Sequence, residues 1–120
     1  MFDSNYKFTC VDRFLKYVKY DTQSDEESTS FPSSEKQKIL SKDLAEELKA
    51  LGLKDAHMDE WGYVMATLPS NTNKKVDPIA FIAHVDTSPA VSGKDVKPII
   101  RKNYQGGDIK LETGGWVISV

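Results

Sequence analysis

Apolar residues recur along this chain in two rhythms, and the change from one to the other marks its elements. Phe8, Val11, Leu15 and Val18 fall at three- and four-residue steps with Phe14 beside them, which predicts a helix over about 4–20 capped by Ser4 or Asn5. Asp12, Arg13, Lys16 and Lys19 fill its other face, so the reading is a core-covering helix with a solvated charged side. A second stripe, Leu40, Leu44, Leu48 and Leu51 with Ile39 and Ala45, predicts a helix over about 34–51. Ser34 and Gln37 have the spacing of a capping box, and Gly52 is placed to end the helix left-handed, with Leu53 folding back onto Leu48. The rhythm then shortens. Residues 56–59 and 63–68 read as two strands of a hairpin around the turn Glu60-Trp61-Gly62, closed by Pro69. Ile79-Ala80-Phe81-Ile82-Ala83 carries no polar side chain, so both faces must be covered, the mark of a central, usually parallel, strand over 78–84. Short strands are expected at 97–100, 109–111 and 117–120, and polar loops at 21–34, 70–75 and 88–95. The expected fold class is α/β, with helices packed on a mixed, mainly parallel β-sheet organised around 78–84. The last apolar run, Val117 to Val120, reads as a strand in which the chain stops, which predicts a truncated chain with an unpaired edge prone to association.

The organising strand delivers the one constellation that suggests chemistry. His84 and Asp86 stand two apart, so in extended backbone both side chains project to one side and can meet. They fall where the apolar run ends and the turn Thr87-Ser88-Pro89 begins, the end of an α/β strand at which ligands collect. A metal-binding histidine commonly has its second ring nitrogen fixed by a carboxylate, and His-x-Asp supplies both. The same pair can equally be a structural hydrogen bond in a non-catalytic α/β binding or assembly module. One histidine and one orienting carboxylate do not hold a catalytic zinc, which takes about three protein ligands, so the sequence offers a half-site. His57, between Asp55 and Asp59, reads as a surface residue, Trp61 and Tyr63 as hairpin packing, and Gly106-Gly107 as a turn.

Composition narrows the field without adding to it. With 120 residues, 39% hydrophobic and 28% charged residues and a net charge of -2, the chain is an ordinary globular sequence of one small domain. It has no basic excess to neutralise phosphates, so no nucleic-acid partner is expected. Its single cysteine, Cys10, excludes an internal disulfide and reads as a small apolar helix residue. No stretch approaches the ~20 apolar residues of a membrane span, and the first residues lack the pattern of a signal peptide. The expectation is a cytoplasmic protein with no membrane partner; the oligomeric state is not legible.

Several segments together resemble the amino-terminal part of the aminotripeptidases of the dizinc aminopeptidase/carboxypeptidase superfamily. They are Arg13-Phe14-Leu15-Lys16-Tyr17-Val18, Asp21-Thr22-Gln23-Ser24, Pro32-Ser33-Ser34-Glu35-Lys36-Gln37 and Met65-Ala66-Thr67-Leu68-Pro69. The sharpest are His84-Val85-Asp86-Thr87-Ser88-Pro89 and Asn103-Tyr104-Gln105-Gly106-Gly107-Asp108-Ile109. They follow one another in the family's order through nearly all of the chain, which makes residues 1–120 the first part of a zinc-peptidase catalytic domain by resemblance. The resemblance implies that His84 is a zinc ligand and that Asp86 is its catalytic orienter. It also implies two zinc ions, with the other ligands and a glutamate base later than this chain reaches, and a tripeptide substrate that loses its N-terminal residue. The acidic run Asp25-Glu26-Glu27 departs from the pattern and reads as surface variation.

Overall fold

The computed structural model describes residues 5–112 and 114–120. Among them the elements run α1 (Cys10–Tyr17), α2 (Gln37–Ala50), β1 (His57–Met58), β2 (Val64–Met65), β3 (Ile109–Lys110) and β4 (Val117–Ile118). Helices and strands are mixed as expected, but both sheets are two-stranded and antiparallel, β1 with β2 and β3 with β4.

Helix α2 is the best-buried element. Leu40 and Ala45 are its apolar core residues, Gln37 and Ser41 lie beside them, and the helix packs on β1 and β2. Its end follows the sequence closely. Gly52 takes a φ of 96°, its N–H reaches the Lys49 carbonyl at 2.9 Å, and the Leu53 N–H reaches that of Leu48 at 3.1 Å. This pair of bonds is a Schellman cap, and it satisfies carbonyls that the helix leaves open. The other end differs from expectation. Instead of a capping box on Ser34, the backbone winds in through three successive i to i+3 bonds, Gln37 to Ser34, Lys38 to Glu35 and Ile39 to Lys36, and the helix proper begins at Gln37. Ile39 and Leu51, expected on the buried stripe, are exposed, which leaves the face narrower than the leucine spacing suggested.

Helix α1 is shorter than the stripe predicted and is attached by its other face. It starts at Cys10 after Thr9, Asn5 lies in a turn before it, and Ser4 is outside the described residues. Phe8, Val11 and Phe14 are exposed, whereas Leu15 and Val18 are half-buried. What joins α1 to α2 is polar: Arg13 pairs with Glu47, and Lys16 Nζ reaches Asp43 at 3.2 Å and Glu47 at 3.4 Å. The Tyr17 hydroxyl donates to Glu47 at 2.9 Å and the Tyr20 hydroxyl donates to Asp43. The side expected to be solvated is therefore the one in contact. Cys10 is exposed at the start of the helix.

The hairpin forms where it was read, with shorter strands. His57 pairs with Met65 and Met58 with Val64, and Gly62 turns the chain at φ 91°. The Asp59 carboxylate accepts from the Trp61 and Tyr63 N–H groups at 3.0 and 2.8 Å, so the turn carries its own internal brace.

The central strand is the main correction. Residues 78–84 take no strand pairing, and Ile79, Phe81 and Ile82 are 82%, 95% and 96% exposed. An all-apolar strand needs neighbours on both edges and layers on both faces, and no described segment provides them. The mainly parallel sheet is likewise not formed; among the described residues the one parallel pairing is a single bridge between Gln23 and Thr87. Residues 97–100 form no strand either. At the end of the chain, Val117–Ile118 pairs with Ile109–Lys110 rather than standing alone.

Candidate functional site

His84 and Asp86 meet as their spacing predicted. The Nδ1 atom of His84 lies 2.9 Å from the Asp86 carboxylate and 3.0 Å from the Asp86 carbonyl oxygen. Both neighbours are acceptors, so in the neutral ring Nδ1 carries the proton and Nε2 presents its lone pair outward. The imidazole is 84% exposed and the carboxylate 46%. The segment Ala83-His84-Val85 runs between two cavities. One, of about 270 Å³, is walled by Phe31, Trp61, Tyr63 and Lys38 and reaches both His84 and Asp86. The other, of about 650 Å³ and more apolar, lies under α1 and α2 against Phe14, Leu44, Leu48 and Val91.

The turn that follows the pair is held from far away in sequence. The Thr87 N–H donates to the Thr22 carbonyl at 3.2 Å, and the Ser24 N–H and Oγ donate to the Thr87 carbonyl at 2.9 and 3.0 Å. The Gln23 side-chain amide reaches the carbonyls of Pro89 at 2.9 Å and Val91 at 3.3 Å. Asp21, just before, accepts from the Gln23 N–H and pairs with Lys36 Nζ at 2.9 Å. The Lys36 ammonium holds the Asp21 carboxyl below the usual carboxylate range, and Lys94 adds a weaker pull in the same direction. Thr22 is buried at this junction. The Asp21-Thr22-Gln23-Ser24 stretch was legible only as part of a family pattern; on its own it read as the start of a polar loop. The Ser-Pro turn is local: the Ala90 N–H bonds the Ser88 hydroxyl at 3.2 Å.

The remaining candidates stay where the sequence put them. His57 is exposed, with Nδ1 2.8 Å from the Asp55 carbonyl, and touches neither His84 nor Asp86. Gly106 and Gly107 form a turn at φ 99° and 92°, which the Tyr104 hydroxyl closes on the Gly107 carbonyl.

A catalytic zinc ion asks for about three nitrogen, sulfur or carboxylate donors from the protein. Among the described residues no group of three or more His, Cys, Asp or Glu side chains is placed to enclose one. What the residues present do fit is one imidazole ligand with its orienting carboxylate, the ring exposed and its free nitrogen unencumbered.

The site thus presents a histidine whose Nδ1 is held by a carboxylate at the end of an apolar segment, and comparison with known proteins points to one group. The chain is 60% identical over 101 residues to peptidase T of Caldanaerobacter subterraneus and 65% identical over 103 residues to that of Alkaliphilus oremlandii. It is 53% identical over 104 residues to peptidase T of Parabacteroides distasonis. These alignments take in 84–87% of this chain and 25% of each relative. The chain is thus related to peptidase T along most of its length, as its motifs implied, and spans about a quarter of the length of the curated relatives it matches. No protein-family model matches it. No described helix is long and apolar enough to cross a membrane.

Proposed function

We propose that this chain supplies the first metal ligand of a zinc-dependent aminotripeptidase, a peptidase that releases the N-terminal residue of tripeptides. The observation that carries the reading is the His84–Asp86 contact at 2.9 Å on a ring whose second nitrogen is free. Support also comes from relatives named peptidase T at more than half identity. In this reading His84 donates the Nε2 lone pair to the metal. Asp86 would accept a hydrogen bond from the Nδ1–H, fix the ring's rotation and make the imidazole a stronger donor. Zinc, when bound, polarises the peptide carbonyl and acidifies a bound water. The other ligands and the general base belong to sequence outside residues 1–120, and residues 1–120 are then the first part of the catalytic domain. The reading is of a cytoplasmic enzyme whose partner is a short peptide.

In the full-length protein, His84→Ala is expected to lose zinc and tripeptidase activity together, measured by metal analysis of the purified protein and by release of the N-terminal residue. Full metal content with activity retained would sink the assignment.

A further inference from the structure

We propose that Gln23 is a positioning residue for the His84–Asp86 pair, a role that rests on the metal-ligand reading of His84. The pair is anchored on one side only. On its N-terminal side, residues 78–83 make no strand pairing, and Phe81 and Ile82 are almost fully exposed. On its C-terminal side, the turn is tied to Thr22-Gln23-Ser24 by bonds that span more than sixty residues of chain. Thr22 contributes a backbone carbonyl, and the Ser24 N–H would be available whatever the side chain. The Ser24 hydroxyl doubles an acceptor that this N–H already satisfies. Gln23 is different. Its one amide nitrogen has two N–H groups, and they meet two separate carbonyls of the turn, those of Pro89 and Val91. Without that donor the turn is held at Thr87 alone, one residue after Asp86, and the 89–91 end that braces it is free to pivot about that single bridge. Asp86 contacts Nδ1 through both its carboxylate and its own carbonyl, so a shift of the backbone there moves both acceptors at once.

The test uses the metal-free, ¹⁵N-labelled full-length protein and reads the His84 ring by long-range ¹⁵N–¹H correlation at pH about 8. Wild type is expected to give the single-tautomer pattern of a ring protonated at Nδ1. Gln23→Met keeps the length and volume of the side chain but donates nothing, and is expected to lose that pattern. The amide signals of Gly52, Leu53 and the β1–β2 hairpin should stay in place, which separates a local effect from unfolding. Gln23→Lys restores a donor of similar reach and is expected to retain the pattern. A Gln23→Met chain with the wild-type pattern, or a Gln23→Lys chain that loses it as Met does, overturns the positioning role alone. A wild-type ring without the Nδ1-protonated pattern overturns the orienting pair itself, and the proposal with it.

Discussion

At the scale of single residues, the candidate site depends on which nitrogen of one ring holds a proton. Asp86 offers His84 two acceptors, a carboxylate oxygen at 2.9 Å and a carbonyl oxygen at 3.0 Å, and a substitution can remove only the first. Asp86→Ala in the full-length protein is therefore expected to weaken zinc binding by about 10–100-fold, the usual cost of losing an orienting group, without abolishing it. His84→Ala removes the donor atom and should leave no comparable binding at this position. Chelator competition separates the two, and equal losses would remove the reason to treat Asp86 as an orienter. This part of the site was legible in the sequence because its two groups are near neighbours: two residues of extended chain bring them within reach of each other. Gln23 was not legible in the same way. Nothing in its neighbours announces that its amide will meet carbonyls 66 and 68 residues further on.

Elements divide along the same line between local and distant causes. The end of α2 is written in three consecutive residues, since a glycine at φ 96° and the two bonds around it need no partner from elsewhere. A Cβ built at Gly52 meets nothing within 4 Å. Gly52→Ala should thus cost only the left-handed backbone penalty, about 1–2 kcal/mol, read as a lower urea midpoint at unchanged slope. A neutral result would mean the Schellman cap does not persist in solution. The β1–β2 hairpin was legible for the same reason, because Asp59 and Gly62 set its turn from within. The expected strand over 78–84 failed because a strand is completed by other strands, and its composition reports only that it would be covered. Helix α1 shows a third case, in which the periodicity was sound but the face in contact was the polar one. Its junction with α2 carries a pH dependence. The Tyr20 hydroxyl, with help from Lys16, holds the Asp43 carboxyl below its usual range, and the Asp43 bond pushes the Tyr20 phenol up. A depressed carboxylate stabilises above its unfolded pKa and loses that contribution as pH falls through the folded value; a raised phenol stabilises below its unfolded pKa and loses it as pH rises through the folded one. The junction should hold between roughly pH 4 and 10 and loosen outside that window. Because both groups are solvent-accessible, the effect is expected to be small and weakened by salt. Tyr20 fluorescence or chemical shift against pH would follow it, and Tyr20→Phe should flatten both limbs.

The whole molecule exposes far more surface than its mass calls for. A compact monomer of this size shows about 6,500 Å² to solvent, whereas this chain shows 10772 Å². Its radius of gyration is 18.3 Å, against about 14 Å for a compact domain of equal length. Much of the excess is apolar. Ile79, Phe81 and Ile82 are nearly bare, and Leu68, Val91 and Val120 are also largely exposed. Patches of this kind in water recruit something to cover them, and in a lone chain the nearest partner is another copy or a hydrophobic dye. The isolated 120-residue chain is accordingly expected to enhance ANS fluorescence and to scatter light above the monomer value at micromolar concentration. The double substitution Phe81→Ser with Ile82→Lys should reduce both signals while the helical circular dichroism of α1 and α2 stays the same, because both residues are almost fully exposed. A chain of the relatives' full length should show little of either signal where its further sequence packs against this stretch. A monodisperse wild-type chain that ignores the dye would mean that 79–82 finds cover within the 120 residues. The strand expected from its composition would then have formed after all, and His84 would sit at the end of a paired strand instead of an exposed one.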